Sequence, residues 1–523
     1  MRGFLAGITA CLVCGMFWLP TAKAQNTPEW TTSQENQERT GWQKDDPKIN
    51  TSSVKNFQLL WTTKTGNKPM NLAGLVEPLI VSGVKTSSGT ETLVIVAGSS
   101  DNVYAMDAST GRMVWQKHLT WLSDQPQAAV PPGGFICENA LTATPVITPA
   151  NAPGGRRLYV LAVDGYLHAL NLATGAEEMT PIKMYANPYA KPNGLNYYNG
   201  SIYTISGQGC GSQGGRNPNS IYGANISTGK AFIMSPDQAG MFGYWGPSIA
   251  PDGMIYASTG DGPYDAAAKR LSTSVIEANP ALTITNFFTP SDHLWLTQRD
   301  QDMPFSTPIF SYHGQELLVG SGKAGIYYLL NAKTMGGANH ETPLYETPII
   351  SDTNVNFQTE GSWGGGSSWQ DKNGTRWVLA PIGGPTNPKV KFAITNGPAP
   401  DGTEIAMKVE QVNGKTELVP YWKSVNMATA ETPSIAGGVV FALAGGEFTG
   451  QANDSGGGLF SAVDRVERSV PAVLYALDGE TGKVLWSSGN QVKSFVHEAD
   501  VAIADGRVIF GTNDGTVYCF GLK

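Results

Sequence analysis

Short apolar runs alternate with clusters of turn residues along most of the chain, and one unit of this pattern repeats. In it an apolar strand ends in Asp or Asn, a short turn carries Thr-Gly, and a second strand follows. Two copies are complete: Val103–Asp107 through Thr110 and Gly111 to Trp115, and Leu474–Asp478 through Thr481 and Gly482 to Trp486. Leu167–Asn171 with Thr174 and Gly175, and Ile221–Asn225 with Thr228 and Gly229, are weaker copies; more degraded ones centre on Asn279 and Asn331. Each unit predicts a β-hairpin. The Asx side chain accepts hydrogen bonds from backbone N–H groups of the turn, and the Gly takes positive φ at little cost. The Trp after the turn places a large apolar plate on an outer strand, where it can pack against a neighbouring repeat.

The Asx positions 107, 171, 225, 279 and 331 are 52 to 64 residues apart, the length of a four-stranded propeller blade with its loops. Between 331 and 478 there is room for two more blade starts, with Trp377–Pro381 and Lys408–Trp422 as their remnants. Val508–Phe520 ends the chain without an outer Trp strand, whereas Phe57–Trp61 has its Trp but no blade before it. The two ends are therefore expected to complete one blade together. The expected fold is all-β: a β-propeller of about eight blades over residues 53–523, or seven if 385–425 is one long insertion.

Composition agrees with a strand-and-turn repeat. Among 523 residues there are 62 Gly and 33 Pro, and only 15% are charged. The net charge is −8, and no basic stripe breaks it, which argues against nucleic acid or an anionic membrane surface as partner. Residues 1–24 read as a secretory signal peptide: Arg2, an apolar run Phe4–Leu19, and an Ala22-Lys23-Ala24 cleavage site. A lipoprotein signal ending at Cys11 is the rival reading, with an apolar stretch that is short for the purpose. A periplasmic or secreted location follows, without a transmembrane anchor in the mature chain. Residues 25–52 form a polar N-terminal extension, a tether or a cap on the ring. Of five cysteines, Cys137, Cys210 and Cys519 remain in the mature chain. Cys519 sits in the apolar run Val517–Phe520 and reads as core. A disulfide, if formed, is expected between Cys137 and Cys210. No C-x-x-C-H is present, so no covalent haem is expected.

The tag Ala476–Trp486 resembles the repeat of pyrroloquinoline-quinone (PQQ) enzymes, a repeat also found in a non-catalytic outer-membrane assembly propeller. More specific likenesses lie mid-chain. Trp245-Gly246-Pro247 with Ile255–Gly262 resembles the W-G-x-P…V-Y-x-G-T-G-N-G stretch of quinoprotein dehydrogenases. The resemblance makes Trp245 the floor of the quinone site and places Asp261 where the family's metal-binding Asn stands. Asp300–Pro304 resembles W-D-x-D-x-P, with Arg299 in place of the Trp. It implies that Asp300 is the catalytic base and that Asp302 is the added metal ligand of the lanthanide-dependent branch. Gly322–Tyr327 resembles K/R-N-G-x-L-Y, which makes Lys323 the contact to the quinone oxygens. Two features depart from the family: no carboxylate stands near Ser212 and Gln213, where its metal-binding Glu is expected, and Cys137 is single where the family has a vicinal pair.

The chemistry implied is oxidation of a small or polymeric alcohol with PQQ and calcium or a lanthanide, electrons passing to a separate acceptor such as a cytochrome. Trp245, Asp261, Asp300 and Asp302, and Lys323 supply the stacking ring, hard oxygen ligands, base and cation that it needs. Each also has a plain structural reading: a packed aromatic, a turn Asp, a solvated loop, a surface lysine. The alternative function is a cofactor-free propeller acting as a binding or envelope-assembly scaffold. Gly361–Gly366 reads as a blade edge or central-channel loop. His497 and Glu498 read as a surface pair, with a position near the propeller axis as the alternative.

Overall fold

In a computed structural model, which describes residues 1, 3, 27–119, 137–207, 210, 217–352, 361–450 and 458–523, the chain forms eight four-stranded blades around one axis. The signal-peptide and Cys11 readings, and the Ser212 and Gln213 positions, lie outside the described residues. Among those described, no helix is long and apolar enough to cross a membrane.

The first blade is the antiparallel meander Leu79–Thr86, Gly89–Gly98, Asn102–Asp107 and Met113–His118. The next four have innermost strands Val146–Ile147, Asn196–Tyr198, Ser248–Ile249 and Ile309–Tyr312. Those of the sixth and seventh are Ser367–Gln370 and Ser434–Ala436. The eighth joins Ala502–Ala504, Arg507–Gly511 and Thr516–Gly521 to Gln58–Lys64, so the termini close the ring as expected.

The repeat unit forms as its chemistry requires. Asp107 Oδ1 accepts from the N–H groups of Ser109 and Thr110, both at 2.9 Å, and Asp478 Oδ1 accepts from Thr481 N at 3.0 Å. The outer-strand tryptophans dock forward onto the next blade's turn. Trp61, Trp115 and Trp422 donate Nε1–H to the carbonyls of Ala108, Leu172 and Gly479 at 3.0, 2.8 and 3.0 Å. The turn glycine lies flat on that ring: a Cβ at Gly111 would come 2.6 Å from Trp61, so only glycine fits there.

One expectation is corrected. Trp377–Pro381 and Lys408–Trp422 are not two blade starts; both belong to the sixth blade, where Trp377 pairs with Lys408. Its strands Arg376–Gly383 and Gly402–Val412 are long and are separated by an excursion whose Ile394–Thr395 adds parallel to Trp422–Lys423. The hairpin to Lys415–Lys423 turns through Asn413-Gly414, both at positive φ, the signature of a two-residue turn rather than the Thr-Gly unit.

The N-terminal extension is a strap along the axis. Each innermost strand has an edge facing the axis, whose N–H and C=O groups need partners. The strap meets the blades in order. Trp30 exchanges two hydrogen bonds with Ile80, at 2.9 and 2.8 Å, and Thr31 O accepts from Ile147 N at 2.8 Å. Thr32 donates to Leu195 O, and Gln37 O accepts from Ile249 N. Glu38 O accepts from Ile309 N, Thr40 O from Ser368 N and Gly41 O from Ile435 N, and Gln43 donates to Ile503 O. A segment of 14 residues, Trp30 to Gln43, therefore touches all eight blades. Its Arg39 is fully buried and donates to Thr32, Ser33 and Leu195. Burial lowers the Arg39 pKa to about 9.

Two buried carboxyls hold the strap. Glu77 Oε1 accepts from Trp30 Nε1 at 2.7 Å and from Gln34 N at 3.0 Å, and Asp500 Oδ2 accepts from Gln34 Nε2 at 2.6 Å. Burial raises both, Glu77 to about 7 and Asp500 well above the ordinary carboxylate range. A folded-state pKa above the unfolded value means that the folded chain holds the extra proton. The stability from that proton is fully present below the unfolded carboxylate pKa and is lost as pH rises through the folded one. For Glu77, unfolding free energy is expected to fall by up to about 1.4 kcal/mol per pH unit between roughly pH 4.5 and pH 7. Denaturant titrations across that window should show the slope, and Glu77→Gln should flatten it.

Candidate functional site

Four of the five motif positions converge. The turn after the strand Ile255–Thr259 carries Asp261; the segment after the short helix His293–Thr297 carries Asp300 and Asp302; the turn after Gln315–Gly320 carries Lys323. One carboxylate oxygen from each of Asp261, Asp300 and Asp302 lies within 4.8 Å of the others. Lys323 Nζ reaches Asp302 Oδ2 at 2.5 Å and Asp300 Oδ1 at 3.1 Å. Asp261 N donates to Asp302 Oδ1 at 2.6 Å, and Lys323 N donates to Asp302 O at 3.0 Å. The two turns close tightly on Asp302, and Gly260 allows it: a Cβ there would stand 2.5 Å from Asp302 Oδ1.

Exposure separates the roles. Asp302 and Lys323 are buried, Asp261 is exposed, and the Asp300 side chain is 42% exposed. Asp300 holds φ 54°, a left-handed conformation uncommon for a residue with a Cβ. Burial raises the pKa of Asp300; Lys323 opposes the rise and Asp302 adds to it. Burial likewise raises Asp302 against the pull of Lys323. A carboxylate raised in this way is a stronger base than a surface aspartate.

These residues line a cavity of about 1020 Å³. Trp245 does not line it. The indole is 1% exposed, donates Nε1–H to Thr432 Oγ1 at 3.0 Å, and has the Gly364-Gly365 backbone against its edge. The residue that the family resemblance makes the floor of the quinone site is thus buried behind the cavity wall, its N–H satisfied by Thr432. The aromatic rings at the wall are Phe242, Tyr244, Trp363, Phe448 and Phe460, and Trp363 stands with Lys323 Nζ 5.3 Å from its centroid. Trp363 comes from the glycine-rich stretch 361–366, whose Gly364–Gly365 pairs parallel with Phe305–Ser306.

A second charged group borders the same cavity. Lys191 Nζ pairs with Glu138 Oε2 at 3.1 Å and Glu498 Oε2 at 3.2 Å. His497 Nδ1 meets Glu447 Oε2 at 2.6 Å, and Glu447 also holds Arg465. The surface reading of His497 and Glu498 is therefore corrected: His497 is buried among carboxylates. Burial lowers its pKa, but Glu447 and Glu498 overcome this and hold it well above the usual histidine value, which favours the protonated form. Sequence reasoning missed Glu138, Lys191, Glu447 and Arg465, which carry no motif and meet only through the ring. Glu138 follows Cys137, whose expected disulfide with Cys210 is present, with Cα atoms 5.6 Å apart. Cys519, buried and unbridged, is core as expected.

Three solved structures share the architecture. A quinohemoprotein alcohol dehydrogenase of Pseudomonas putida HK5 is 14% identical, with 95% of this chain and 80% of that one covered and a TM-score of 0.60. A quinohemoprotein alcohol dehydrogenase from Comamonas testosteroni is 15% identical over 94% and 80% of the two chains, with a TM-score of 0.57. A europium-containing methanol dehydrogenase is 14% identical over 95% and 98%, also with a TM-score of 0.57. No curated protein matches the chain. Residues 30–180 match the family model of the PQQ-type glucose/ethanol/alcohol dehydrogenase β-propeller domain. Repeat and eight-bladed ring together give this chain the β-propeller fold of these quinoprotein dehydrogenases, and its residues 30–180 resemble the PQQ-type propeller family.

Proposed function

We propose that the cavity is the site of a quinoprotein-type alcohol oxidation, in a secreted or periplasmic protein that passes electrons to a separate carrier. The observation that carries the reading is the meeting of Asp261, Asp300, Asp302 and Lys323 in one large cavity. The donor set fits a hard cation such as calcium or a lanthanide: it is all oxygen, and Lys323 offsets the repulsion at Asp300 and Asp302 with one positive charge against three carboxylates. Asp261, Asp300 and Asp302 would hold the cation, and Lys323 and Trp363 would border the quinone. Bound PQQ would accept the hydride, and the cation would act as Lewis acid.

The chain's own residues do the rest. Asp300, the more exposed of the Lys323-bound pair, faces the cavity and takes the hydroxyl proton. Asp302 holds Lys323 and the Asp261 backbone in place from beneath. Lys323 steadies negative charge on oxygen at the wall. The aromatic side chains exclude water from one side of the alcohol.

The buried Trp245 favours a second reading, a propeller that has lost its cofactor and serves as a scaffold. The mature chain, supplied with PQQ and either calcium or a light lanthanide, decides between them. Quenching of tryptophan fluorescence and dye reduction with small alcohols are expected; neither signal with any cation would leave the scaffold.

A further inference from the structure

The cavity has a titratable group that the proposed chemistry leaves unused. Glu431 lines it, is 8% exposed, and stands on the segment leading into the innermost strand of the seventh blade. The three other carboxylates at this pole each have a cation: Glu138 and Glu498 share Lys191, and Glu447 has His497 and Arg465. Among the described residues, the Glu431 carboxyl has neither an ion pair nor a hydrogen bond. The charged groups around it are Glu447 and Glu498, which disfavour a negative charge, and His497, which favours one. Beneath lie Asp500 and Glu404, both fully buried; both Glu404 oxygens and Asp500 Oδ1 lack partners. A buried carboxyl with no donor and no cation is stable only with its own proton, and the pKa of Glu431 is accordingly raised well above the usual range.

We propose that Glu431 is the proton donor of this cavity, an uncharged acid whose O–H points to a ligand oxygen. The assignment rests on the function proposed above. In that oxidation the alcohol loses its hydroxyl proton to Asp300 and a hydride from carbon to the quinone. Completing the quinol takes one further proton. Glu431 supplies it: its O–H bond breaks, a new O–H forms on the cofactor oxygen, and the carboxylate left behind faces protonated His497. When the electron acceptor takes two electrons from the quinol, one of its two protons returns to Glu431, and the other, with the proton held by Asp300, passes to solvent.

The test combines infrared spectroscopy with single-turnover kinetics on the intact mature chain. At neutral pH the difference spectrum between wild type and Glu431→Gln should isolate one protonated-carboxyl C=O band, apart from those of Asp500 and Glu404, and PQQ should shift it. Gln is a neutral isostere of a neutral acid, so the variant should fold and bind PQQ, while reduction of bound PQQ by alcohol slows about 100-fold or more. Glu431→Asp, which keeps the acid, should recover much of the rate. A difference spectrum without that band, or a Glu431→Gln variant that turns over at the wild-type rate, overturns the role of Glu431 alone. A wild type that binds no PQQ overturns the proposed function and this assignment with it.

Discussion

Asp300→Asn is expected to lower kcat/KM for alcohol oxidation by about 10²- to 10⁴-fold, the usual worth of a positioned general base. Asn keeps the size of the side chain and an oxygen that can accept from Lys323 Nζ, now at 3.1 Å, so the turn should survive. What it loses is the ability to take a proton. The wild-type rate should also fall on acidification, as Asp300 takes up a proton. Burial and the neighbouring Asp302 raise Asp300, and the base works only when deprotonated. Dye-linked turnover measures both effects, and near-native circular dichroism of the variant separates chemistry from folding. Unchanged turnover in Asp300→Asn would remove the base from this position.

Lys191→Met should cost about 3–5 kcal/mol of stability, the penalty for stranding a buried charge. Lys191 is 3% exposed and sits between Glu138, fully buried, and Glu498. Burial alone would raise Glu138, yet Lys191 and His497 hold it down at about 2. Its contribution is therefore present above the unfolded carboxylate pKa and is lost as pH falls toward about 2. Without Lys191 the carboxylate must take up a proton or remain uncompensated. Adding Glu138→Gln to Lys191→Met removes that charge and should restore part of the loss, which a double-mutant cycle by denaturant unfolding would measure. Full additivity of the two changes would show that the pair is not coupled.

Much of this molecule could be read from its sequence, for local reasons. The Asx-x-x-Thr-Gly turn is satisfied within five residues, as Asp107 shows by bonding Ser109 and Thr110, so each copy announces its own hairpin. The spacing of copies then sets the ring, and the unpaired Trp61 strand with the unfinished C-terminal hairpin sets its closure. Asp261, Asp300, Asp302 and Lys323 were legible because each lies in a turn whose neighbours form a motif. The sixth blade was misread because an Asn-Gly hairpin and an excursion replace the usual turn, so its two halves looked like separate repeats.

What only the tertiary structure decided are contacts made across the axis, between residues that no local pattern relates. His497 and Glu138 are 359 positions apart and meet because the ring brings the loops of the first and last blades together. The polar strap reads from its sequence as either a tether or a cap on the ring, because its apolar content is small. Its hold comes from backbone carbonyls offered to six of the eight blades, with the Thr32 and Gln43 side chains donating to the other two, and every residue type carries a backbone carbonyl. Trp245 illustrates the reverse limit: the family motif marks the residue, but its burial and its bond to Thr432 are made only in the folded ring. Sequence by itself thus determined the repeat, the ring and the acidic turns, since these depend on short-range hydrogen bonding and periodicity. Burial, and with it the raised pKa of Glu77, Glu431 and His497, was decided by the closed ring, because desolvation and charge contacts depend on everything packed around a group.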